Sequence, residues 1–278
     1  MFFNVKAHNE RIEAFKDTML RIESDSSLQQ AVAKSIASQQ FIAEGTEIVL
    51  PQPPYAEPAK VVVTKNRSFE AARPYAKQGL KVAVLNFASS TNPGGGVTRG
   101  ASAQEECLCR VSTLYTCLND ASMWDVFYTP HRKAKNALHN DDIIYTKDVV
   151  VIKDDDMQPL DKPFTVDVVT CAAPTLREEA SNRYNPSDGD HVEITPEALL
   201  ALHEKRGRQI LAAAAANGAE VLVLGAFGCG AFKNDPAVVA QAYANILPEY
   251  LRYFRTIEFG IYCRPKSTKN YSEFAKVL

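Results

Sequence analysis

Short apolar runs and longer amphipathic segments alternate along most of this chain. Runs rich in Val, Ile, Leu and Phe predict strands at 47–50, 60–64, 80–86, 143–145, 149–153, 164–172, 221–225 and 256–263. Apolar residues at helical spacing predict helices at 9–24, 27–43, 67–78, 103–119, 196–217 and 271–278, with a further helix that begins at Asp235–Pro236. Because strands alternate with helices, we expect an α/β domain with three layers.

Several residues mark where these elements begin and end. Gly45 ends the N-terminal helical region, and Gly79 closes the helix at 67–78, in which Pro74 predicts a kink or a break. Thr195 is a predicted N-cap, and Pro196 then takes the first helical position. The polar stretch 174–195 is long for a loop in a compact domain, and loops of that length are often functional.

The segment 85–115 joins a predicted buried strand to a helix through three consecutive glycines, Gly94, Gly95 and Gly96. Bare backbone of this kind lets a ligand approach the amide groups closely. The first turn of the following helix carries Gln104, Glu105 and Glu106. A helix N-terminus offers unpaired N–H groups and a partial positive charge, and carboxylates there are candidates for acid–base chemistry. The segment therefore predicts a phosphate-bearing substrate whose bond is broken nearby.

Each of these polar residues also has a structural explanation. Ser102 and Glu105 have the spacing of a capping box, which would occupy the Glu105 carboxylate at the helix N-terminus. Glu106 has a structural explanation as an acidic residue in the first turn of a helix, where the helix dipole favours negative charge. Gln104 is expected to hold the loop in place. The three glycines are harder to explain structurally, because they carry an entropic cost that an ordinary turn does not require.

A second glycine loop, Gly225-Ala226-Phe227-Gly228-Cys229-Gly230-Ala231-Phe232, follows the strand predicted at 221–225. Its glycine order differs from the G-x-G-x-x-G of dinucleotide-binding folds, and no Walker lysine follows. Ligands in α/β sheets bind at the carboxyl ends of strands, so both loops are expected to meet at one cleft and clamp a diphosphate. One of Phe227 and Phe232 is expected in the core, and the other is free to stack on the ligand.

Together these motifs resemble a known family. Gly94-Gly95-Gly96, seven residues and Gln104-Glu105-Glu106 resemble the GGG-x(6–8)-QEE signature of poly(ADP-ribose) glycohydrolases. Asn86-Phe87-Ala88 and Asn92-Pro93 are similar to the bacterial-type, or microbial, branch, and 228–232 to the diphosphate loop of the family. The resemblance implies a three-layer α/β/α macrodomain with a mixed central sheet at 46–278, and an N-terminal helical extension at 1–45 packed on it.

The resemblance also implies roles for individual residues. Glu106 would be the catalytic acid, and Glu105 would bind ribose hydroxyls and orient the scissile bond. Asn86 or Asn92 would contact the terminal ribose. The remaining implied ligand contacts are Gly94, Gly95, Gly96 and Gln104 near the terminal ribose, and Gly225, Phe227, Gly228, Cys229, Gly230, Ala231 and Phe232 around the diphosphate.

Adjacent helical residues diverge by about 100°, so Glu105 and Glu106 cannot face each other across a glycosidic bond as the two carboxylates of most glycosidases do. One working carboxyl is therefore expected, with Glu106 first protonating the leaving ribose oxygen and then activating water. This requires a raised pKa at Glu106.

Composition limits the partners, bound groups and cellular location that we expect for the chain. The net charge of −2 indicates no bulk electrostatic attraction to nucleic acid, so we predict no direct binding to it. Six cysteines and five scattered histidines predict neither a disulfide framework nor a metal site, and we expect no cofactor. The N-terminus lacks the pattern of a signal peptide, and glycines and polar residues interrupt the most apolar stretch, 210–232. We therefore expect a cytoplasmic protein without membrane contact, and we expect it to be a monomer. The family resemblance implies poly(ADP-ribose) or ADP-ribose, and ADP-ribosylated proteins, as its partners.

Two further functions fit the same loops. A reader module would bind ADP-ribose without turnover, although the Glu105–Glu106 pair favours an enzyme. A hydrolase of mono-ADP-ribosyl adducts would share the pocket for ADP-ribose, and only a comparison of substrates separates it from a polymer hydrolase. A nucleotide-binding dehydrogenase is disfavoured by the order of the glycines.

Overall fold

The computed structural model describes residues 5–183, 185, 187–264 and 267–278. Within them, seven strands form one mixed sheet: β1 (Gln40–Ile42), β2 (Lys60–Thr64), β3 (Val82–Phe87), β4 (Ile143–Lys153), β5 (Pro159–Cys171), β6 (Val221–Leu224) and β7 (Thr256–Gly260). The strand order is β1-β4-β5-β3-β6-β7-β2. Five neighbouring strands, from β5 to β2, run parallel, whereas β4 pairs antiparallel with both β1 and β5.

Helices cover both faces of this sheet and complete the three layers predicted from the sequence. They are α1 (Val5–Ser24), α2 (Ser26–Ala37), α3 (Ser68–Lys77), α4 (Gln104–Val111), α5 (Leu114–Leu118), α6 (Ala121–Met123), α7 (Thr129–Ala134), α8 (Pro196–Ala216), α9 (Pro236–Ile246) and α10 (Lys269–Val277). Helices α8, α9 and α10 pack on one face, and α1, α3, α4 and α5 pack on the other.

The central strands supply both cores. In β3, Val82 and Val84 face the core beneath α3 and α4, and Ala83 and Leu85 face the core beneath α8. Side chains of a strand alternate between its faces, so a strand buried on both faces is apolar at every position. This is why unbroken apolar runs predicted the central strands correctly.

The N-terminal helical prediction is wrong at its end. The second helix ends at Ala37 instead of continuing to residue 43, and Gln40–Ile42 form the edge strand β1, where Phe41 pairs with Ile144. Helical spacing of apolar residues did not reveal this strand, because its partner β4 lies about a hundred residues later in the chain. The strand predicted at 47–50 is absent, since those described residues adopt neither helix nor strand.

Two further boundaries differ from the prediction. The helix expected at 103–119 breaks at Ser112, whose extended backbone forms a bridge with Val151 and separates α4 from α5. The two short strands expected at 143–145 and 149–153 are one strand, β4, whose pairing shifts register between Thr146 and Val149. At Pro74, α3 continues without a break, and Thr195 caps α8 as predicted.

Candidate active site

Both glycine loops lie at the same edge of the sheet. β3 and β6 are adjacent parallel strands, so the loops that follow Phe87 and Leu224 leave their carboxyl ends side by side. A cavity of about 810 Å³ lies there, bordered by Gly95, Glu105, Glu106, Gly228 and Phe232 among others. This is the size of a small-molecule site, at the position where α/β sheets bind their ligands.

The first loop brings backbone directly against the acidic side chains. Gly95 has a φ of +55°, and a Cβ atom there would lie 2.6 Å from Glu106 Oε1 and 3.2 Å from Glu105 Oε2. A side chain would therefore be strained by the backbone angle and would collide with a carboxylate. The glycine is needed because the carboxylates occupy the space that a side chain would take.

Glu105 is held by the end of β3. The residue is 3% exposed, and its Oε2 accepts from the Ser89 amide at 2.8 Å while its Oε1 accepts from Asn86 Nδ2 at 3.3 Å. The predicted capping box is wrong, because Ala103 is the N-cap and no side chain caps the helix. Burial raises the pKa of Glu105 well above its ordinary value, although the Ser89 N–H opposes that rise.

Glu106 keeps one oxygen free. It is 7% exposed, and its Oε1 accepts from the Gly96 amide at 2.9 Å. Its Oε2 is buried and has no hydrogen-bond partner among the described residues. Burial raises the pKa of Glu106, whereas the Gly96 N–H and the Arg110 guanidinium act in the opposite direction. The cavity is thus bordered by a carboxyl that holds its proton to higher pH than usual and has an oxygen available.

Gln104 fixes the start of α4 to the end of β3. Its Oε1 accepts from the Phe87 amide at 2.9 Å, and its Nε2 donates to the Leu85 carbonyl at 2.7 Å and to Ser68 Oγ at 3.0 Å. All three bonds stay within the protein, which agrees with the expected holding role. Since Gln104 also borders the cavity, its position helps to set the shape of that wall.

Neither predicted asparagine borders the cavity. Asn86 is fully buried, where Nδ2 donates to Glu105 and to Thr170 Oγ1. Asn92 closes the glycine turn, since its Nδ2 donates to the Gly95 carbonyl and its Oδ1 accepts from Arg132 Nη2 at 3.3 Å. Both asparagines therefore hold other residues of the site in place by hydrogen bonds and do not line the cavity themselves.

The second loop borders the cavity with Ala226 and with most residues from 228 to 232. Gly228, Gly230, Ala231 and Phe232 border the cavity. Gly228 has a φ of +76°, and a Cβ atom there would lie 2.7 Å from Ala173 Cβ, whereas one at Gly230 would meet nothing within 4 Å. Gly228 is therefore required by the packing of the protein, and Gly230 leaves open space beside the backbone.

The remaining predicted members of this loop lie below the cavity. Phe227 is 1% exposed and packs in the core, where its ring centroid is 5.7 Å from that of Phe87 and 5.9 Å from that of His203. Gly225 and Cys229 also lie outside the cavity lining. Of the two phenylalanines, Phe232 is the one that faces the cavity.

Asn234 anchors the second loop and was missed in the sequence. Its Nδ2 donates to the Pro174 carbonyl at 2.7 Å and to the Gly228 carbonyl at 3.1 Å, and its Oδ1 lies 2.7 Å from His203 Nε2. Burial lowers the pKa of His203 to about 4, so this partner is neutral. No local pattern marks Asn234, which precedes the Asp235–Pro236 helix start and resembles an ordinary loop residue.

The long loop before α8 joins the two glycine loops. Asp188 is buried, and its carboxylate accepts from Thr91 Oγ1 at 3.0 Å and from Arg177 Nη2 at 3.1 Å. The Arg177 guanidinium lies over the Phe232 ring, 5.2 Å from its centroid. Among the described residues of 172–195 there is neither helix nor strand, so side-chain bonds of this kind order the loop.

An aromatic residue that follows β7 also borders the cavity. Tyr262 follows β7, borders the cavity and is 55% exposed. Arg67 lies over one face of its ring, 4.8 Å from the centroid, and donates through Nη1 to the Asp155 carbonyl at 2.9 Å. Sequence analysis did not predict this pair, because Arg67 and Tyr262 lie far apart along the chain.

Among the described residues, no group of three or more His, Cys, Asp or Glu side chains is arranged to hold a metal ion. In that same part of the chain, no helix combines the length and apolarity that crossing a membrane requires.

Comparisons with known proteins agree with this geometry. The family model of the microbial-type PARG catalytic domain matches residues 9–154, more than half of the 278-residue chain. Poly(ADP-ribose) glycohydrolase (PARG) from Thermomonospora curvata is 28% identical with a TM-score of 0.82, covering 97% of this chain and 100% of its own. The same enzyme bound to the inhibitor ADP-HPD is 29% identical with a TM-score of 0.80 and the same coverage.

Poly(ADP-ribose) glycohydrolase from Deinococcus radiodurans in complex with ADP-ribose is 32% identical with a TM-score of 0.76, covering 89% of this chain and 96% of its own. No protein with a curated description matches the chain. The family match, the shared fold and the glycine loops around Glu105 and Glu106 lead to one conclusion: this chain belongs to the microbial-type poly(ADP-ribose) glycohydrolase family.

Proposed function

We propose that this protein hydrolyses the ribose–ribose O-glycosidic bonds of poly(ADP-ribose) and releases ADP-ribose from chain ends, with Glu106 as the working acid and base. The observation that carries the assignment of Glu106 is its Oε2, which is buried beside the cavity and has no hydrogen-bond partner in the part of the chain that the structure describes. Relatives that share the fold along almost their whole length are poly(ADP-ribose) glycohydrolases, and one of them was solved with ADP-ribose.

The two loops suit different parts of the ligand. The terminal ribose would lie against Gly95 and Glu105, where an ionised or protonated carboxyl can hydrogen-bond its hydroxyls. The diphosphate would lie against the backbone of 228–232, a loop without acidic or basic side chains. N–H groups of such a loop attract phosphate oxygens without the need for a cation.

The adenine base would stack on Tyr262. One face of its ring is covered by the Arg67 guanidinium, and more than half of the residue is exposed. A guanidinium on one face makes the ring a fixed platform, and an adenine on the other face would be held by stacking. Phe232, which also borders the cavity, would pack against the ribose next to the diphosphate.

Two proton transfers on one carboxyl complete the reaction. Protonated Glu106 donates its proton to the ribose oxygen of the leaving chain as the C1–O bond breaks, and the electron pair leaves with that oxygen. The resulting oxocarbenium ion is stabilised by the negative diphosphate of the substrate. Glu106, now a carboxylate, takes a proton from water as the water oxygen bonds to C1, and the acid is restored.

Glu105 is poorly placed for either transfer. Both of its oxygens already accept hydrogen bonds, from Asn86 and from the Ser89 amide, and it faces the end of β3. A fixed orientation suits a residue that holds a ribose hydroxyl. Glu106 needs its proton for the first transfer, and the pKa rise caused by burial keeps that proton bound to higher pH.

The decisive experiment measures release of ADP-ribose from poly(ADP-ribose) by the wild type and by Glu106→Gln, with ADP-ribose affinity measured for both. We expect turnover to fall by a factor of about 10² to 10⁴, the usual contribution of a general acid–base group, while affinity is retained. Glu10→Gln, at the rim of the same cavity, is the matched control and should keep wild-type turnover. Near-normal turnover by Glu106→Gln would disprove the assignment.

The same assay separates the alternatives. Binding without release by either protein would indicate a reader, and release from mono-modified protein but not from polymer would indicate a hydrolase of single adducts. ADP-ribosylated proteins as carriers of the polymer, a cytoplasmic location and a monomeric state complete the proposal. Size-exclusion chromatography with light scattering tests the last of these.

A further inference from the structure

Arg110 is a buried cation that no carboxylate of the described residues pairs with. It lies on α4, is 2% exposed, and directs Nε to the Arg11 carbonyl at 3.2 Å, Nη2 to the Ala101 carbonyl and Nη1 to Cys107 Sγ at 3.8 Å. All three acceptors are uncharged. Among the described residues, no Asp or Glu oxygen lies within 4 Å of the guanidinium. Burying a cation in this way is unfavourable unless a negative charge lies nearby.

The acidic group that meets this need is Glu106, one helical turn before Arg110. Residues four apart on a helix face the same side, with Cβ atoms about 5–6 Å apart. Burial has removed water from both side chains, so a charge on either one is felt strongly by the other. Glu105 points away, toward Asn86 and the Ser89 amide.

We propose that Arg110 is the counter-charge of Glu106 and holds that carboxyl between its two roles, proton donor in the first transfer and proton acceptor in the second. The inference rests on the proposed function. Burial alone would make Glu106 keep its proton, which helps the first transfer and prevents the second. The positive charge of Arg110 favours the carboxylate and so allows the same group to take a proton from water.

The N-terminal helix α1 is hydrogen-bonded to α4 at this pair. The α1 residue Thr18 donates through Oγ1 to the Arg110 carbonyl at 2.6 Å, and the Arg11 carbonyl accepts from the guanidinium. Arg11 also donates through Nε to the Gly100 carbonyl at 2.6 Å, which ties α1 to the end of the first glycine loop. The helical extension thus takes part in catalysis as a positioning element that acts through Arg110.

Other ionisable groups near Glu106 define the controls. On α4 these are Glu105 and the thiols of Cys107 and Cys109; α1 contributes Glu10 and Arg11, and the hairpin between β4 and β5 contributes Asp155. Burial raises the pKa of both thiols, so they stay neutral. Burial beside Glu70 raises the pKa of Asp155 to about 7, and its charge therefore changes within a useful assay range. Arg11 and Asp155 must be tested separately.

The test compares pH profiles of kcat/KM on poly(ADP-ribose) for the wild type, Arg110→Met and Arg110→Lys. Activity is lost as pH rises through the pKa of the acid, and this fall is the alkaline limb of the pH profile. Removal of the positive charge should move the alkaline limb to higher pH, and it should also decrease kcat. Arg110→Lys keeps the charge and should leave the limb at its wild-type position. An unmoved limb in Arg110→Met, or an equal shift in Arg110→Lys, would overturn the proposal.

Thr18→Val is the structural control. It removes the hydrogen bond between α1 and α4 without changing charge, so it should lower thermal stability and leave the alkaline limb in place. A shift in Thr18→Val, Arg11→Met or Asp155→Asn equal to that in Arg110→Met would also overturn the proposal, because the limb would then follow packing or another charge.

A direct titration separates this inference from the proposed function. The ¹³C resonance of the Glu106 carboxyl, identified by its absence in Glu106→Gln, reports protonation without turnover. We expect it to titrate at higher pH in Arg110→Met than in the wild type or Arg110→Lys. If wild type releases no ADP-ribose but this shift occurs, the proposed function fails, and only the pairing of Arg110 with Glu106 as its counter-charge stands. If wild type releases ADP-ribose but Glu106 titrates at the same pH in Arg110→Met as in wild type, the proposed function stands and the proposal for Arg110 fails.

Discussion

The two glycine loops leave adjacent strands and face one cavity, yet different chemistry holds them. The first is held by carboxylates, because Glu105 accepts from the Ser89 amide and Glu106 from the Gly96 amide. The second is held by neutral groups, the Asn234 amide and the His203 ring. Ionisable oxygens thus lie where the proposed proton transfers take place, and residues 228–232, proposed to bind a diphosphate, have no acidic side chain.

This difference has a physical reason. A carboxylate that anchored the second loop would repel the phosphates that the loop is proposed to bind, and the low dielectric of a closed site would strengthen that repulsion. An asparagine supplies the same hydrogen bonds without charge. In the first loop the charge is useful, since N–H groups that hold a carboxylate also limit how far burial raises its pKa.

The strongest test of the comparison is Gly95→Ala. A methyl group there would lie 2.6 Å from Glu106 Oε1, and the φ of +55° adds about 1–2 kcal/mol of backbone strain. Displacement of a catalytic group by about 1 Å costs roughly a hundredfold in rate. We therefore expect kcat/KM to fall at least about a hundredfold, in a steady-state assay of ADP-ribose release.

Gly79→Ala controls for backbone strain alone. Gly79 has a φ of +77° at the end of α3, but a Cβ atom there would meet nothing within 4 Å. The Gly79→Ala variant should lose about as much free energy of unfolding as backbone strain removes in Gly95→Ala, and it should keep wild-type activity. Equal activity losses in both variants would show that the collision with the carboxylates is unimportant.

The neutral anchor of the second loop predicts sensitivity to acid. His203 has a pKa of about 4 in the folded protein and about 6.5 when unfolded. Between these values the unfolded state binds more protons, so the stability contributed by neutral His203 is present above pH 6.5 and is lost as pH falls toward 4. The total is on the order of 3 kcal/mol.

Urea unfolding at a series of pH values measures this loss. His203→Gln keeps a side chain that can bond to Asn234 but cannot take up a proton in this range, so its stability should depend less on pH between 6.5 and 4. An identical pH dependence in wild type and His203→Gln would exclude His203 as the source of the acid sensitivity.

The sequence predicted those parts of the site that depend on local pattern. Three adjacent glycines before an acidic first turn, and a late glycine loop after an apolar run, both lie at strand ends as expected. Gln104 holds the loop, and Phe232 rather than Phe227 faces the cavity, an alternative that the residues alone left open. Local spacing suffices here because each loop directly follows a central strand.

Where the prediction failed, a distant partner decided the outcome. Glu105 abandons the capping box with Ser102 because the end of β3 offers Asn86 and the Ser89 amide. The helix from residue 103 stops at Ser112 because β4 offers a bridge to Val151. Asn234, His203 and Arg110 carry no local signal, since their importance comes from burial beside chain segments far away in sequence.

The smallest predicted effect is that of Gly230→Ala, in the open part of the second loop. A Cβ atom there would meet nothing within 4 Å, and its backbone angle suits any residue, so the fold should be as stable as wild type. The methyl group would come between the backbone and the proposed position of the diphosphate. We expect KM for polymer to rise by a factor of about three to ten, roughly 1 kcal/mol, with kcat little changed, because the site of proton transfer is untouched.

Gly228→Ala is the matched variant in the same loop. Its Cβ atom would lie 2.7 Å from Ala173 Cβ and from Asn234 Nδ2 at a φ of +76°, so here stability should fall by about 1–3 kcal/mol as the anchor is displaced. If Gly230→Ala lowered kcat instead of raising KM, the two loops could not be divided into one that moves protons and one that holds phosphate. The division of the two loops by function requires that Gly230→Ala mainly raises KM and that Gly95→Ala mainly lowers kcat.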